Sequence, residues 1–275
     1  MSAIERFFIK VGSNILNKNF AYKISKAFFA TQGTGWASPA DGLYGSGEYS
    51  FLKRYLKKLK NPLILDVGAN TGEYSISVLK ANKYSKVHCF EPSKYHIKEL
   101  NKNLFNYDVK INSFGLSNNK ESQKLYQDKE ISGIKSLIKR DLGHLSINLE
   151  DYEIVELCVG DEYIALNKLK QINLLKIDVE GWEMQVLEGF TKAFQSNKIE
   201  ICQFEFGHAH IEKRLNFRDF YNFFNKYNYT LGIIKPNGKI NFIEKYDEIH
   251  ENYYCTNFLA LSKNILNSHF KFMFS

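Results

Sequence analysis

Three short segments hold the residues whose types and spacing could do chemistry. They are Asp66-Val67-Gly68-Ala69-Asn70-Thr71-Gly72, Phe90-Glu91-Pro92 and Lys176-Ile177-Asp178-Val179-Glu180-Gly181. In the first, an apolar run, Leu63-Ile64-Leu65, ends in an acid and a turn carrying two glycines. Gly68 and Gly72 open backbone conformations closed to other residues and let a ligand approach with no Cβ in the way. Glu91 stands 25 residues after Asp66, at the end of the next apolar segment, Lys86-Val87-His88-Cys89-Phe90. In a doubly wound sheet that distance brings a carboxylate beside the glycine turn, where it can accept hydrogen bonds from a ribose diol. The turn therefore reads as a seat for an adenosine-containing cofactor.

What the turn lacks narrows the choice. A dinucleotide site uses G-x-G-x-x-G, with helix N-terminal amides facing a pyrophosphate. Here Asn70 takes the place of the middle glycine, and Asp66 sits at the ligand-facing end of the strand. A carboxylate there repels a pyrophosphate and suits a ligand bearing an ammonium and a sulfonium. S-adenosyl-L-methionine fits; NAD does not. On this reading Asp66, Gly68, Asn70, Gly72, Glu91 and Asp178 contact the cofactor, and Phe114 and Ser117 are expected beside the adenine.

Methyl transfer from a sulfonium is an in-line displacement, so alignment and exclusion of water do most of the work. A hydroxyl acceptor must also lose its proton to a base or be activated by a metal. The groups expected at the C-terminal ends of the strands are Asp178, Glu180, Glu205 and His208. Histidine is the natural base at neutral pH, and a nearby carboxylate would orient it. The plainer alternatives are a helix-terminal charge for Glu180 and a surface-loop role for His208, since His210 follows two residues later. Asp178, Glu205 and His208 could instead cradle Mg²⁺, but nothing in their spacing requires it, and no metal is expected.

Taken together, these segments resemble the FkbM-type methyltransferases. Ser136-Leu137, the upstream Ser46-Gly47-Glu48 and the late Thr256-Asn257-Phe258-Leu259-Ala260 match family habits too. The resemblance runs from about Gly45 to Ser262, and Lys-Ile-Asp-Val-Glu-Gly is its most specific part. It implies a class I fold, S-adenosylmethionine as donor, and usually O-methylation of a sugar or other hydroxyl in a glycan or natural product. One departure is Val159-Gly160-Asp161, where the family usually has Leu-Asp before the fourth strand, so that edge of the pocket is expected to differ.

The elements that must position these residues alternate between strand and helix, which predicts an α/β fold: a single Rossmann-like domain with a mostly parallel sheet and an antiparallel C-terminal edge. Strands are expected near 63–67, 86–90, 110–114, 154–159, 173–178 and 199–206, with an edge at 230–234 and 257–261 around a Pro236-Asn237-Gly238 turn. Helices are expected near 48–59, 72–81, 94–105, 183–195 and 217–227. Residues 120–153 read as a polar insertion in which Ser132-Gly133-Ile134-Lys135-Ser136 could fold over the acceptor. The methyltransferase domain is placed at 48–263, after an N-terminal amphipathic helix and Gly-rich loop at 1–47 and before a tail at 264–275. The loop, with Trp36 and Tyr44, suits a lid over the active site or, equally, an ordinary ordered loop.

Charge bounds the partners. The net charge is +7, and residues 1–60 hold 10 Lys and Arg against 3 acids, which accounts for all of it. A nucleic-acid enzyme more often carries its basic surface around the catalytic domain, so no nucleic-acid partner is expected. In the first segment Ile4, Phe7, Phe8, Val11 and Ile15 recur at helical spacing with Arg6 and Lys10 elsewhere on the wheel. That helix either caps the fold or touches anionic lipid, where a lipid-linked glycan would wait. Four widely spaced cysteines read as buried thiols of a reducing cytoplasm. The expected activity is O-methylation of a sugar or small-molecule hydroxyl by a cytoplasmic enzyme, either free or peripheral at the inner membrane face. An RNA methyltransferase and a non-catalytic binding module are the competing readings.

Overall fold

The alternation of strands and helices builds an eight-stranded sheet in a computed structural model that describes residues 2–15, 17–35, 42–128 and 135–267. Its strands include β1 (Leu63–Val67), β2 (Lys86–Phe90) and β3 (Val109–Asn112). A second, four-stranded sheet is formed by β4 (Gly115–Ser117), β5 (Glu121–Gln127), β6 (Lys135–Ser136) and β7 (Asp151–Val159), in the order β4-β7-β5-β6. The large sheet is completed by β8 (Ile172–Ile177), β9 (Ile199–Phe206), β10 (Tyr229–Ile234), β11 (Ile240–Ile243) and β12 (Thr256–Ser262). Its order is β11-β10-β12-β9-β8-β1-β2-β3. The five strands from β9 to β3 run parallel, and β12, β10 and β11 pair antiparallel at the other edge.

The parallel strands are rich in apolar residues because helices cover both faces of the sheet. On one face Phe190, Phe194, Phe204, Phe220 and Phe224 are fully buried, with Phe204 stacked 5.2 Å from Phe220 and 5.1 Å from Phe224. On the other, Phe51, Leu52 and Tyr55 of the helix Glu48–Leu56 pack with Val78 and Leu100. Each such side chain contributes roughly 1.5–3 kcal/mol by leaving water. This two-sided core fixes the strand ends that carry the site.

Several expectations are corrected. The strand expected at 154–159 belongs to the second sheet, not to the parallel one. Its burial alternates, with Val155 and Leu157 inside and Ile154 and Glu156 exposed, as suits a strand covered on one face only. The strand expected at 110–114 ends at Asn112, and the chain crosses to β4. The supposed insertion holds β5 and β6, while Ser132, Gly133 and Ile134 lie outside the described residues, as do Trp36 and the tail beyond 267. The Pro236-Asn237-Gly238 turn joins β10 to β11, a strand the sequence reading missed, and β12 inserts between β9 and β10. The helix expected at 183–195 is two, Glu183–Gly189 and Thr191–Gln195.

The N-terminal segment forms two helices, Ala3–Ile15 and Lys18–Thr31, the second capped by the Asn17 side chain accepting from the Phe20 amide. Of the stripe expected from the sequence, Ile4, Phe7 and Val11 are exposed, as are Ile9, Phe20 and Phe28. The side chains of Phe8 and Ile15 lie outside the described residues. The second helix and the residues after it are tied to the C-terminal region: Tyr22 and Tyr254 hydroxyls meet at 2.8 Å, and the Gly35 amide donates to Thr256 Oγ1 at 2.9 Å.

Candidate active site

Strand register sets the floor of the site. Asp66 pairs with Lys176 across β1 and β8, and Lys176 with Gln203 across β8 and β9. The next positions along these strands, Gly68, Asp178 and Glu205, therefore emerge together at the C-terminal edge, where parallel sheets bind ligands. At Gly68 the backbone is left-handed (φ 84°), and a Cβ would stand 1.8 Å from the Asp178 carbonyl oxygen, so only glycine fits.

Two cavities open on either side of the Gly68–Asn70 turn. One, of about 180 Å³, is lined by Glu91, Phe90, Gly115, Leu116, Asp178 and Glu180 among others. The second, of about 420 Å³, is lined by Ser46, Glu48, Asp66, Lys176, Glu205 and Asn257 among others. Gly68, Asn70 and Asp178 border both. Such a bent pair of cavities suits an elongated ligand with different chemistry at its two ends.

The first cavity has the features of a nucleoside site. Glu91 is buried, and its two oxygens accept the Asn70 amide at 2.9 Å and the Ser93 amide at 2.8 Å. Each carboxylate oxygen keeps a second lone pair for a ribose hydroxyl. Apolar Phe90 and Leu116 supply surface for a flat ring. Lys135, unassigned in the sequence reading, also lines this cavity; it is buried and donates to Ser93 Oγ at 2.8 Å and Gln127 Oε1 at 2.7 Å.

The second cavity is a network of buried charges. Asp66 is 1% exposed and accepts from the Ser75 hydroxyl at 2.6 Å, and its burial pushes the carboxyl up to about 6. Lys176 Nζ lies 3.2 Å from Asp178 and 3.9 Å from Glu48. Burial opposes the Lys176 charge, but Asp178, Glu48 and Glu205 outweigh it and hold the ammonium above its ordinary range. Burial, reinforced by Asp178 and Glu180, raises the Glu205 carboxyl well above the usual carboxylate range. Among the described residues that line it, acids outnumber the one cation, Lys176, which suits a ligand bearing an ammonium and a sulfonium. The residues present thus fit S-adenosylmethionine.

Glu180 lies at the edge of the first cavity, with 31% of its side chain exposed. Burial and the neighbouring Asp178 raise its carboxyl to about 7, against the opposing pull of Arg140. Arg140 Nη1 donates to Glu180 Oε2 at 2.7 Å, and Nη2 lies 2.6 Å from His208 Nδ1. A guanidinium only donates, so His208 Nδ1 accepts and the single proton of the neutral ring sits on Nε2. Burial and then the Arg140 charge lower the His208 pKa, which keeps the ring neutral.

Four of the sequence-assigned residues stand apart from the cavity linings. His208 is exposed and reaches the site through Arg140. Gly72 sits at the N-cap of the helix Glu73–Ala81. Phe114 packs on Phe90 at 5.9 Å. Ser117 is fully buried, its hydroxyl accepting from Trp182 Nε1 at 3.1 Å, which turns it toward the core. Arg140 had no sequence signal, being one basic residue in a polar stretch. His210, set aside beside His208, is the buried one of the two, 2.8 Å from Glu183. Among the described residues no group of three or more His, Cys, Asp or Glu side chains is placed to hold a metal ion.

Comparison with known proteins identifies the family. The Methyltransferase FkbM domain matches residues 66–231, more than half of the chain. Methyltransferase sdnD of Sordaria araneosa is 30% identical over 158 residues, covering 47% of this chain and 60% of that protein. The hexuronic acid methyltransferase AglP of Haloferax volcanii is 28% identical over 165 residues, covering 58% of this chain and 64% of its own length. The chain thus spans less than two thirds of either relative. A precorrin-6y C5,15-methyltransferase from Geobacter metallireducens superposes with a TM-score of 0.42 at 8% identity, covering 79% of this chain and 89% of that one. From its sequence motifs and its matched domain, the chain belongs to the FkbM methyltransferase family, with S-adenosylmethionine as its cofactor.

Proposed function

We propose that this enzyme transfers a methyl group to a hydroxyl oxygen of a sugar, with Glu180 as the group that takes the proton. The observation that carries the reading is the Arg140 bridge. It occupies the accepting nitrogen of His208 and one oxygen of Glu180, a residue that lines the first cavity and whose carboxyl pKa is raised to about 7. A base of that strength is matched to neutral pH. S-adenosylmethionine, when bound, would supply an electrophilic methyl carbon to the acceptor oxygen, with the thioether of S-adenosylhomocysteine as the leaving group. Glu180 removes the hydroxyl proton, Arg140 holds its carboxylate and is itself met by His208, and Asp178 keeps the sulfonium end electrostatically favourable. The name of the Haloferax relative, a hexuronic acid methyltransferase, supports a sugar acceptor.

The test is transfer of labelled methyl from S-adenosylmethionine to a panel of free sugars, uronates and glycosides, followed by mass spectrometry of the products. A methyl ether on one sugar hydroxyl is expected. Transfer only to nitrogen acceptors, or only to RNA, would overturn the reading.

RNA is a second reading because of a basic face. Five lysines, including Lys57, Lys60 and Lys83, line one groove at the N-terminal ends of the strands, and four more line an adjoining one. They lie at the opposite strand ends from the cofactor cavities, which favours the sugar reading. A salt-dependent gel shift with bulk RNA separates the two.

The reading also places the enzyme in the cytoplasm and against anionic lipid. Exposed Ile4, Phe20 and Phe28 accompany Arg6, Lys18, Lys23 and Lys26 on the N-terminal helices, the mixture that binds a charged bilayer surface. No helix among the described residues is long and apolar enough to cross a membrane. Pelleting with phosphatidylglycerol vesicles, lost at high salt and on deletion of residues 1–28, is expected. Indifference to such vesicles at low salt would remove the lipid contact.

A further inference from the structure

We propose that the buried pair Glu183 and His210 positions Glu180, and that methyl transfer depends on this pair while cofactor binding does not. The proposal rests on Glu180 as the base. Glu180 sits in a left-handed backbone conformation (φ 55°) followed by Gly181 at φ 102°. A non-glycine residue pays conformational strain there and persists only where its surroundings hold it.

The holding groups are identifiable. Glu183 Oε1 accepts the Val179 amide at 2.9 Å, and Oε2 accepts the Gly181 amide at 2.9 Å, so one carboxylate grips the backbone on both sides of Glu180. The Ser136 hydroxyl donates to the Glu180 carbonyl at 2.7 Å. The turn also rests on the exit of β9, because a Cβ on Gly181 would stand 2.5 Å from the Ala209 carbonyl oxygen.

His210 stands against the same carboxylate. Its Nε2 lies 2.8 Å from Glu183 Oε2, out of line for a straight hydrogen bond, and both side chains are about 1–2% exposed. The ring lies between Phe206 and Phe220, at 5.0 and 5.2 Å, with Nδ1 against the Gly207 backbone. Burial alone would raise the Glu183 carboxyl, but His210 and the backbone amides outweigh it and keep it ionised. Neither residue is among those lining the two cavities. They act on the acceptor's proton only through the backbone on which Glu180 is mounted. A carboxylate is needed because a fork of two acceptors meets two amide donors. Glutamine has nearly the same shape but offers one acceptor and turns an NH₂ toward the other amide.

The experiment compares wild type, Glu183→Gln and His210→Gln. Amide hydrogen exchange is followed by NMR with S-adenosylhomocysteine bound, its affinity is measured by calorimetry, and turnover is measured with the sugar found in the acceptor panel. In Glu183→Gln, exchange at Val179 and Gly181 should rise about tenfold to a hundredfold while Leu175 in β8 stays protected. Turnover should fall roughly tenfold or more with S-adenosylhomocysteine affinity within about twofold of wild type, since misplacement of a catalytic group costs rate. His210→Gln should give the same pattern, weaker, and keeps the proposal testable if Glu183→Gln does not fold. Unchanged exchange at Val179 and Gly181, or affinity lost in step with turnover, would overturn it. If Glu180→Gln is fully active while the exchange result holds, the base assignment fails and the clamp on the turn stands.

Discussion

Arg140 and Glu180 form an ion pair at 2.7 Å in which the arginine side chain is 1% exposed and the glutamate 31%. The asymmetry matters because a guanidinium does not give up its proton, so the buried partner is a fixed charge and the open partner is the one that titrates. Burial and Asp178 push Glu180 toward its protonated form, and Arg140 pulls it back, leaving a carboxyl near 7.

The first consequence is kinetic. Turnover should decline as pH falls through about 7, because protonated Glu180 cannot take a proton. Glu180→Gln should lower turnover by ~10²–10⁴ with S-adenosylhomocysteine affinity largely kept. Single-turnover rates across pH 5–9 and calorimetry check both. A wild-type limb near 4–5 would argue against this carboxyl.

Arg140 lowers the Glu180 pKa, so its removal should act in the opposite direction. Arg140→Gln should move the acidic limb of the rate profile above that of wild type and reduce turnover at neutral pH. Arg140→Lys should recover little, since one ammonium cannot span Glu180 and His208 as the guanidinium fork does. A limb that stays in place in Arg140→Gln would separate this arginine from the titration.

Glu91 has two jobs, gripping the Asn70 and Ser93 amides while facing the nucleoside cavity. Glu91→Ala should therefore weaken S-adenosylhomocysteine binding about tenfold to a hundredfold, the cost of roughly 1–3 kcal/mol in lost buried hydrogen bonds. Melting temperature should drop as well, because two turn amides lose their acceptor. Wild-type affinity in this variant, measured by calorimetry, would displace the ribose from this cavity.

Asp66 links stability to pH. Its folded pKa, about 6, exceeds the ordinary 3.8, so the folded protein binds this proton more tightly than the unfolded chain. The contribution is fully present below about 3.8 and is lost as pH rises through about 6, on the order of 3 kcal/mol in all. Denaturant titration of the cofactor-free protein at pH 4 and pH 7.5, compared with Asp66→Asn, should show the variant gaining stability relative to wild type at the higher pH. No difference in this pH dependence would remove Asp66 from the linkage.

Much of the fold was legible because its signals are local. The apolar runs of β1, β2, β8 and β9 and the glycines after β1 need only neighbouring residues to be read. The misreadings share one cause. β7 has strand character either way, and only pairing decides which sheet it joins; its alternation of buried Val155 and Leu157 with exposed Glu156 was the available clue. β11 is four residues long and is stabilised by its register with β10, which no local pattern reveals. Ser117 and Phe114 were assigned from loop position, and packing against Trp182 and Phe90 decided otherwise where each side chain faces.

The sequence by itself determined the chemistry on offer: acids and glycines at strand ends, spaced as a parallel sheet needs to bring Asp66, Glu91, Asp178 and Glu180 to one edge. It could do so because strand and turn propensities are short-range and the strand order of such sheets is constrained. The tertiary structure alone decided which groups work together. Arg140 lies 40 residues from Glu180 and 68 from His208, and its bridge between them exists only once the second sheet packs beside the first. The same holds for the proton affinities, since Glu180 and Asp66 are ordinary carboxylates until folding surrounds them with apolar atoms and other charges.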